Sequence, residues 1–292
     1  MWRRHLLPTA AVGILAAVAM SMDVGAAQAA TGTAQSAQSA KGTGHFSHPT
    51  RITSRWFPLQ PGTQFTYDGT VTDATGSHKH RVIFTVTDVV KVINGVKTRA
   101  IWDQDINDGE LTEAELAFFA QDDAGNVWTM GEYPEEYDAG RFAGAPSTWI
   151  SGVAKATAGI LVPGHPVPGT PSFVQGRAPS IAFYDIGKVV RDEVRICVKA
   201  GCYCHAVVVD ESSPTAPEHG HQQKYYAPGV GLVDILANSG DAREDLQLTS
   251  VRHLDAKALA TAATQALRLD RRAYRYAAAM FRKTAHAYRE RR

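Results

Sequence analysis

Between Trp56 and Leu254 the chain is written in short stretches of alternating apolar and polar residues broken by turn dipeptides. In "HRVIFTVTDVVKVI" Val82, Phe84 and Val86 fall on one side of an extended chain and Ile83, Thr85 and Thr87 on the other. That period of two is the mark of a β-strand. Asn94-Gly95 then separates it from "VKTRAIWDQDI", and Asp108-Gly109 precedes "ELTEAELAFFAQDD". Asn-Gly and Asp-Gly accept the positive φ that a type I′ hairpin turn requires at both central residues, so consecutive hairpins are predicted. Ala124-Gly125-Asn126 repeats the device before "VWTMGEY". Residues 142–172, rich in Gly and Pro, read as a long loop crossing the sheet. Strands resume with "DEVRICV", "CYCHAVVVD", "QKYYAPGVGLVDIL" and "REDLQLTSVRHL". The predicted fold is mainly β: a curved antiparallel sheet or half-barrel of about eight to ten strands with a C-terminal amphipathic helix.

The ends of the chain follow different rules. Residues 1–29 place Arg3 and Arg4 before an apolar run that closes on Ala27-Gln28-Ala29, the layout of a secretory signal peptide. The arginine pair also fits a twin-arginine signal, but an ordinary Sec signal with a basic start accounts for it equally simply and is preferred. The expected location is therefore secreted or extracellular. Residues 30–55 are small, polar and aperiodic and read as a disordered linker, residues 56–254 as the β-rich domain. Residues 255–292 lack Gly and Pro and are expected to form one long helix.

Charge divides along the same lines. The formal net charge is +1. Residues 255–292 hold ten Lys/Arg against three Asp/Glu, which is +7, and the signal segment adds +1, so residues 30–254 carry −7. On the helix Leu267, Tyr274, Phe281 and Tyr288 recur every seven residues, bordered by Arg268, Arg275, Arg282 and Arg289. Such a stripe packs on the protein's own body or on a partner helix, or binds an anionic envelope surface through the four arginines. Nucleic acid is not expected as a partner of a secreted chain.

Three stretches, "RWFPLQPGTQFTYDG", "FFAQDDAGNVWTMGEY" and "KYYAPGVGLV", resemble signatures of a family of secreted or lipid-anchored bacterial proteins, common in actinobacteria, without assigned activity. The resemblance spans most of residues 56–248 and implies a curved antiparallel sheet. It brings no catalytic residues. The family commonly shows an acidic residue and Trp where this chain has Ala117-Phe118, and the basic tail lies beyond its pattern.

Candidate chemistry is sparse. No nucleophile elbow, phosphate loop or zinc-protease helix motif is present. The acidic run from Asp103 through Asp105 and Asn107 misses the calcium-hand pattern, with Asp108 where Gly is required and Ala114 where a bidentate Glu is required. It reads as a solvated hairpin turn. Glu132, Glu135 and Glu136 beside Tyr133 and Tyr137 are candidates for the carboxylate pair of a hydrolase or lyase acting on a sugar. His78 and His80 share a strand face, and Glu218, His219 and His221 sit in a loop. If the two pairs meet, they offer the nitrogen donors that zinc or copper(II) favours.

All three cysteines lie in "ICVKAGCYCHAVVV", a hairpin. A two-residue Ala200-Gly201 turn sets Cys197 opposite Cys204, with Cys202 within diagonal reach; a three-residue turn puts Cys197 on the opposite face from the other two. The export signal favours a disulfide over a thiolate metal cluster, and the preferred assignment is Cys197–Cys204 with Cys202 as the free thiol. The functional expectation is a secreted, non-catalytic protein holding a small apolar or anionic ligand, or another envelope component, on the concave sheet. A zinc- or copper-binding protein is the alternative, and a secreted hydrolase or lyase the second.

Overall fold

Hairpin turns build this molecule. In a computed structural model describing residues 44–74, 76–240 and 243–290, Asn94 and Gly95 take φ of 49° and 81°, and Asp108 and Gly109 take 50° and 92°. Both are the left-handed pairs that the dipeptides predict. They join β2 (Gly76–Ile93), β3 (Val96–Asn107) and β4 (Glu110–Gln121) into an antiparallel meander that follows β1 (Thr63–Asp73). β5 (Val127–Asp138) continues it after a turn organised by one side chain. Asp122 accepts from the backbone N–H and Nδ2 of Asn126 and from Trp128 Nε1, all at 2.8–2.9 Å.

Residues 142–172 contribute strands rather than a crossing loop. They hold most of β6 (Arg141–Gly144), and all of β7 (Trp149–Ile150) and β8 (Thr157–Val162), each paired to β5. The chain proceeds through β9 (Phe173–Ala178), β10 (Phe183–Val198), β11 (Gly201–Ser212), β12 (His221–Ala227), β13 (Gly231–Ala237) and β14 (Arg243–His253). β14 then pairs with β1, and β1 with β2. Twelve strands therefore close into an antiparallel barrel where the sequence predicts an open half-barrel. Closure satisfies both edges that an open sheet would leave unpaired. Gly69 fits the seam, because a Cβ there would lie 1.7 Å from the Asp245 carbonyl of β14.

The tail of the expected linker, at Ile52, and the first residues of the expected β-rich domain are packed together. Ile52, Phe57 and Leu59 are buried and enter the barrel, and the Phe57 ring sits edge-on to Phe84, Phe119 and Tyr226 at 5.8–6.0 Å. The segment from Ile52 to Leu59 is thus a plug ahead of the wall strand β1. In "KYYAPGVGLV" Pro228, Gly229 and Val230 reverse the chain between β12 and β13, so the stretch that reads as one strand in the sequence is a full hairpin.

A second core lies outside the wall. Val89, Ile93, Leu116, Phe118, Trp128 and Met130 face α1 (Ala256–Tyr276), which meets them with Ala263, Ala266, Leu269 and Ala273. Small residues let helix and sheet approach closely, and Asp255 caps the helix by accepting from the Ala258 N–H at 2.7 Å. The helix stops at Tyr276, followed by a short turn of helix α2 (Ala278–Phe281) and a two-residue strand β15 (Tyr288–Arg289) against β2. The expectation of one continuous helix over 255–292 fails for a physical reason. Lys91, fully buried on β2, draws the chain back by donating to Asp270 (2.7 Å), Tyr274 Oη (3.1 Å) and the Ala285 carbonyl (2.7 Å). Phe281 is fully buried under that return, 5.3 Å from Tyr133 and 5.7 Å from Tyr274. No helix among the described residues is long and apolar enough to cross a membrane. The signal segment 1–29 and residues 30–43 lie outside the described residues.

Candidate functional site: an acidic barrel lumen

Alternation on β3, β4 and β5 sends two kinds of side chain into the barrel. Toward the plug these are Ile101, Ala117 and Phe119; further along the same faces they are Asp103 and Asp105, Glu113 and Glu115, and Glu132. Asp103 stands directly across from Glu115, and Asp105 from Glu113. Side chains so opposed have Cβ atoms about 5 Å apart, and like charges there repel. All five are buried, Asp103 and Asp105 to 2 % exposure. One carboxylate oxygen of each aspartate has no hydrogen-bond partner. An unpaired buried carboxylate is among the costliest groups a protein interior can hold.

Other strands add Asp185 of β10, Glu211 of β11 and Glu244 of β14, with two basic groups, Lys224 of β12 and His80 of β2, the neighbour of β3. Both basic groups are already engaged. Lys224 meets Glu211 at 2.6 Å, and His80 meets Glu244 at 3.0 Å through Nε2 and the Asn107 Oδ1 at 2.5 Å through Nδ1. Gln222 and Gln175 donate to the remaining oxygens of Glu244 and to Glu211, and Trp149 Nε1 donates to Glu132 at 2.8 Å. Acidic groups in the lumen outnumber basic ones by a wide margin.

The proton affinities follow. Burial, then repulsion from Glu244, raises Asp103 to about 7 against the opposing pull of His80 and the Gln104 N–H. Burial, then the neighbouring carboxylates, hold Asp105, Glu113 and Glu115 well above the carboxylate range. Glu132 rises to about 8 and Asp185 to about 7, again chiefly through burial. For His80 and Lys224 burial pulls downward, but the hydrogen bonds and charges of Glu244 and Glu211 outweigh it and both are raised.

The other half of the interior is apolar. A void of about 10 Å³, roughly one water, lies among Phe57, Leu59, Phe65, Tyr67, Phe84 and Leu232. The expected apolar ligand finds that half filled by the protein's own plug, and an anionic ligand finds the other half already acidic.

The residues singled out in the sequence are distributed differently. His78 binds Asp108 at 2.8 Å, His221 binds Asp210 at 2.6 Å, and His219 lies 3.9 Å from Glu218. Only His80 enters the lumen. Among the described residues no three His, Cys, Asp or Glu side chains are assembled as a metal-ligand set, so the zinc or copper site expected from the two H-x-H pairs does not form. Glu132 and Glu135 take opposite faces of β5: Glu135 lies outside, accepting from Tyr133, Tyr137 and Arg272, whereas Glu136 returns to the lumen side directly across from Glu113, so the carboxylates that face one another pair β5 with β4 rather than lying together on β5. The acidic run at Asp103 and Asp105 is buried in the barrel rather than solvated.

The cysteine hairpin takes a third register. Lys199 and Ala200 form the turn, one residue earlier than expected, and Val198 pairs with Gly201. Cys197 then lies directly opposite Cys202, Cα–Cα 4.0 Å, and these two form the disulfide. Cys204 is the free, exposed thiol, not Cys202. The bridge faces outward, while Val194, Ile196, Val198 and Tyr203 pack against the barrel core.

Arg268, Arg275 and Arg282 are exposed, whereas Arg289 is held by Asp88 at 2.5 Å. Tyr274 and Phe281 of the seven-residue repeat pack inward, and Tyr288 stays exposed beyond the helix.

No protein-family profile and no curated protein sequence matches the chain. Two solved structures are similar in part: a candidate exported protein with a YmcC-like fold from Bacteroides fragilis (TM-score 0.36) and a candidate lipoprotein from Parabacteroides distasonis (TM-score 0.33). Each is 14 % identical, with the match covering 68 % of this chain and 99 % of the other. At that similarity neither informs ligand or activity.

Proposed function

We propose that the chain is an exported, non-catalytic binding protein whose barrel lumen takes a small hard cation. The signal-like N-terminus supports export. One observation carries the ligand class: among the described residues Asp103 and Asp105 each keep a buried, unpartnered carboxylate oxygen beside Glu113 and Glu115, while the basic groups of the lumen, His80 and Lys224, pair with Glu244 and Glu211. Oxygen-only donors of this kind suit calcium or magnesium rather than zinc or copper. Since no three such side chains among the described residues are assembled as a ligand set, an ion would be held between two facing carboxylates of a cross-strand pair and keep most of its water shell, as magnesium commonly does. Below neutral pH protons take the same places, which makes binding pH-dependent. This reading replaces the apolar or anionic ligand expected from the sequence. Membership of the actinobacterial secreted family, resting on the three motifs, stays a proposal and is compatible with it.

Calorimetric titration of the mature protein with calcium and magnesium at pH 8 tests this. Binding in the wild type that disappears in Asp105→Asn/Glu113→Gln is expected. Heat absent in both proteins, or equal in both, would refute the lumen as a cation site.

A further inference from the structure

The outer face of α1 carries charge of one sign. Lys257, Arg268, Arg271 and Arg275 are exposed, and at 100° per residue they fall within an arc of about 60°. The helix exposes no carboxylate, because its one acidic residue, Asp270, is buried against Lys91. At the C-terminal end Arg272 lies over the rings of Phe142 (4.7 Å) and Tyr276 (5.2 Å), and Arg275 over Tyr276 (5.2 Å). Tyr276 remains 42 % exposed. We infer that this face docks the protein onto a bilayer rich in anionic phospholipid headgroups.

Alternative accounts of the stripe cover less of it. Helix polarity favours cations only in the last turn, whereas Arg268 and Arg271 stand further back and Lys257 occupies the first turn, where a cation is unfavourable. Packing on the acidic body of the same chain uses the other face, through Leu259, Ala263, Ala266 and Ala273. A small soluble anion cannot engage groups spread over 18 residues, about 27 Å of helix. A flat anionic surface meets them all at once. Guanidinium groups beside half-exposed aromatic rings suit the headgroup layer, where amphipathic rings concentrate. Since the apolar face of α1 is occupied by the barrel, binding is peripheral and electrostatic, without insertion. Arg268, Arg271 and Arg275 replace the set of Arg268, Arg275, Arg282 and Arg289 read from the sequence, since the helix ends at Tyr276 and Arg289 pairs with Asp88.

Co-sedimentation of the mature chain with vesicles of phosphatidylglycerol mixed into phosphatidylcholine, against phosphatidylcholine alone, tests the inference. Each guanidinium near an anionic leaflet is worth about fivefold in partitioning. Arg268→Glu/Arg271→Glu/Arg275→Glu is therefore expected to lower the partition coefficient by about a hundredfold or more, and high salt to do likewise. The triple Arg→Lys variant is expected to retain binding. Unchanged far-UV circular dichroism of both variants separates loss of charge from loss of fold. Absence of binding to anionic vesicles, equal binding to neutral ones, or an unaffected Glu variant would overturn the inference. So would retention on a soluble polyanion such as heparin without retention on vesicles.

Discussion

At the scale of single residues, two buried basic side chains show how differently this protein treats charge. Lys91 on the outer wall is fully matched: Asp270, a phenol and a carbonyl surround its ammonium, and the Phe281 ring lies 4.7 Å away. Asp270→Ala strands that ammonium in a dry site and is expected to cost about 3–5 kcal/mol. Lys91→Met removes the charge and keeps the volume, but leaves Asp270 with less support, and the double variant Lys91→Met/Asp270→Leu should recover much of the loss. Urea unfolding of the three proteins checks this order. In the lumen the sign reverses. Asp105→Asn relieves repulsion from Glu113 and Asp103, and at pH 8 without added cation it is expected to raise stability by about 1–2 kcal/mol. Little of this was legible in the sequence. Asp103 and Asp105 alternate with Gln104 and Ile106 as inward residues must, but acidic residues beside an Asp-Gly turn look solvated by composition. Only the register against Glu113 and Glu115 reveals them as lumen groups.

At the scale of elements, local chemistry wrote most of the structure. Asn94-Gly95 and Asp108-Gly109 specify their hairpins, and the alternation of Val82, Phe84 and Val86 specifies the face. The cysteine hairpin was harder, because Lys199-Ala200 and Ala200-Gly201 are both acceptable two-residue turns and differ by one residue in register. The difference changes the bridged partner from Cys204 to Cys202. The helical tail was legible in its start, through Asp255, but its end was not: Lys91, far away in sequence, recruits residues 281–289 back to the wall. Truncation after Leu254 would uncover Trp128, Met130 and Phe118 together. The truncated protein is expected to bind a hydrophobic dye strongly and to aggregate on concentration, whereas Asp255→Ala in the full chain should cost only about 1 kcal/mol.

At the scale of the molecule, closure and its acidic interior go together. The pairing of β1 with β14 joins segments some 180 residues apart, so no local pattern announced that the sheet closes. Once closed, the barrel confines carboxylates whose proton affinities exceed those of the unfolded chain. Between about pH 4 and 8 the folded protein therefore binds more protons than the unfolded one. Stability is fully present below pH 4 for these groups and is lost as pH rises through about 7 for Asp103 and Asp185 and about 8 for Glu132. His80, also raised, acts in the same direction. Each proton so held contributes a slope of about 1.4 kcal/mol per pH unit. In chelated buffer the melting temperature is expected to be higher at pH 5 than at pH 8, and differential scanning calorimetry across that range checks it. Asp68, Asp108 and Asp123, lowered by their surface partners, oppose this trend only at more acidic pH.

A cation in the lumen would restore at pH 8 what the lost protons supplied. The most direct test is the melting temperature at pH 8 with and without saturating calcium or magnesium, for the wild type and for Asp105→Asn/Glu113→Gln. A ligand at a hundred times its Kd stabilises by about 2.7 kcal/mol, so a rise of about 5 °C or more is predicted for the wild type and none for the variant. No rise with either ion, or the same rise in both proteins, would contradict the account.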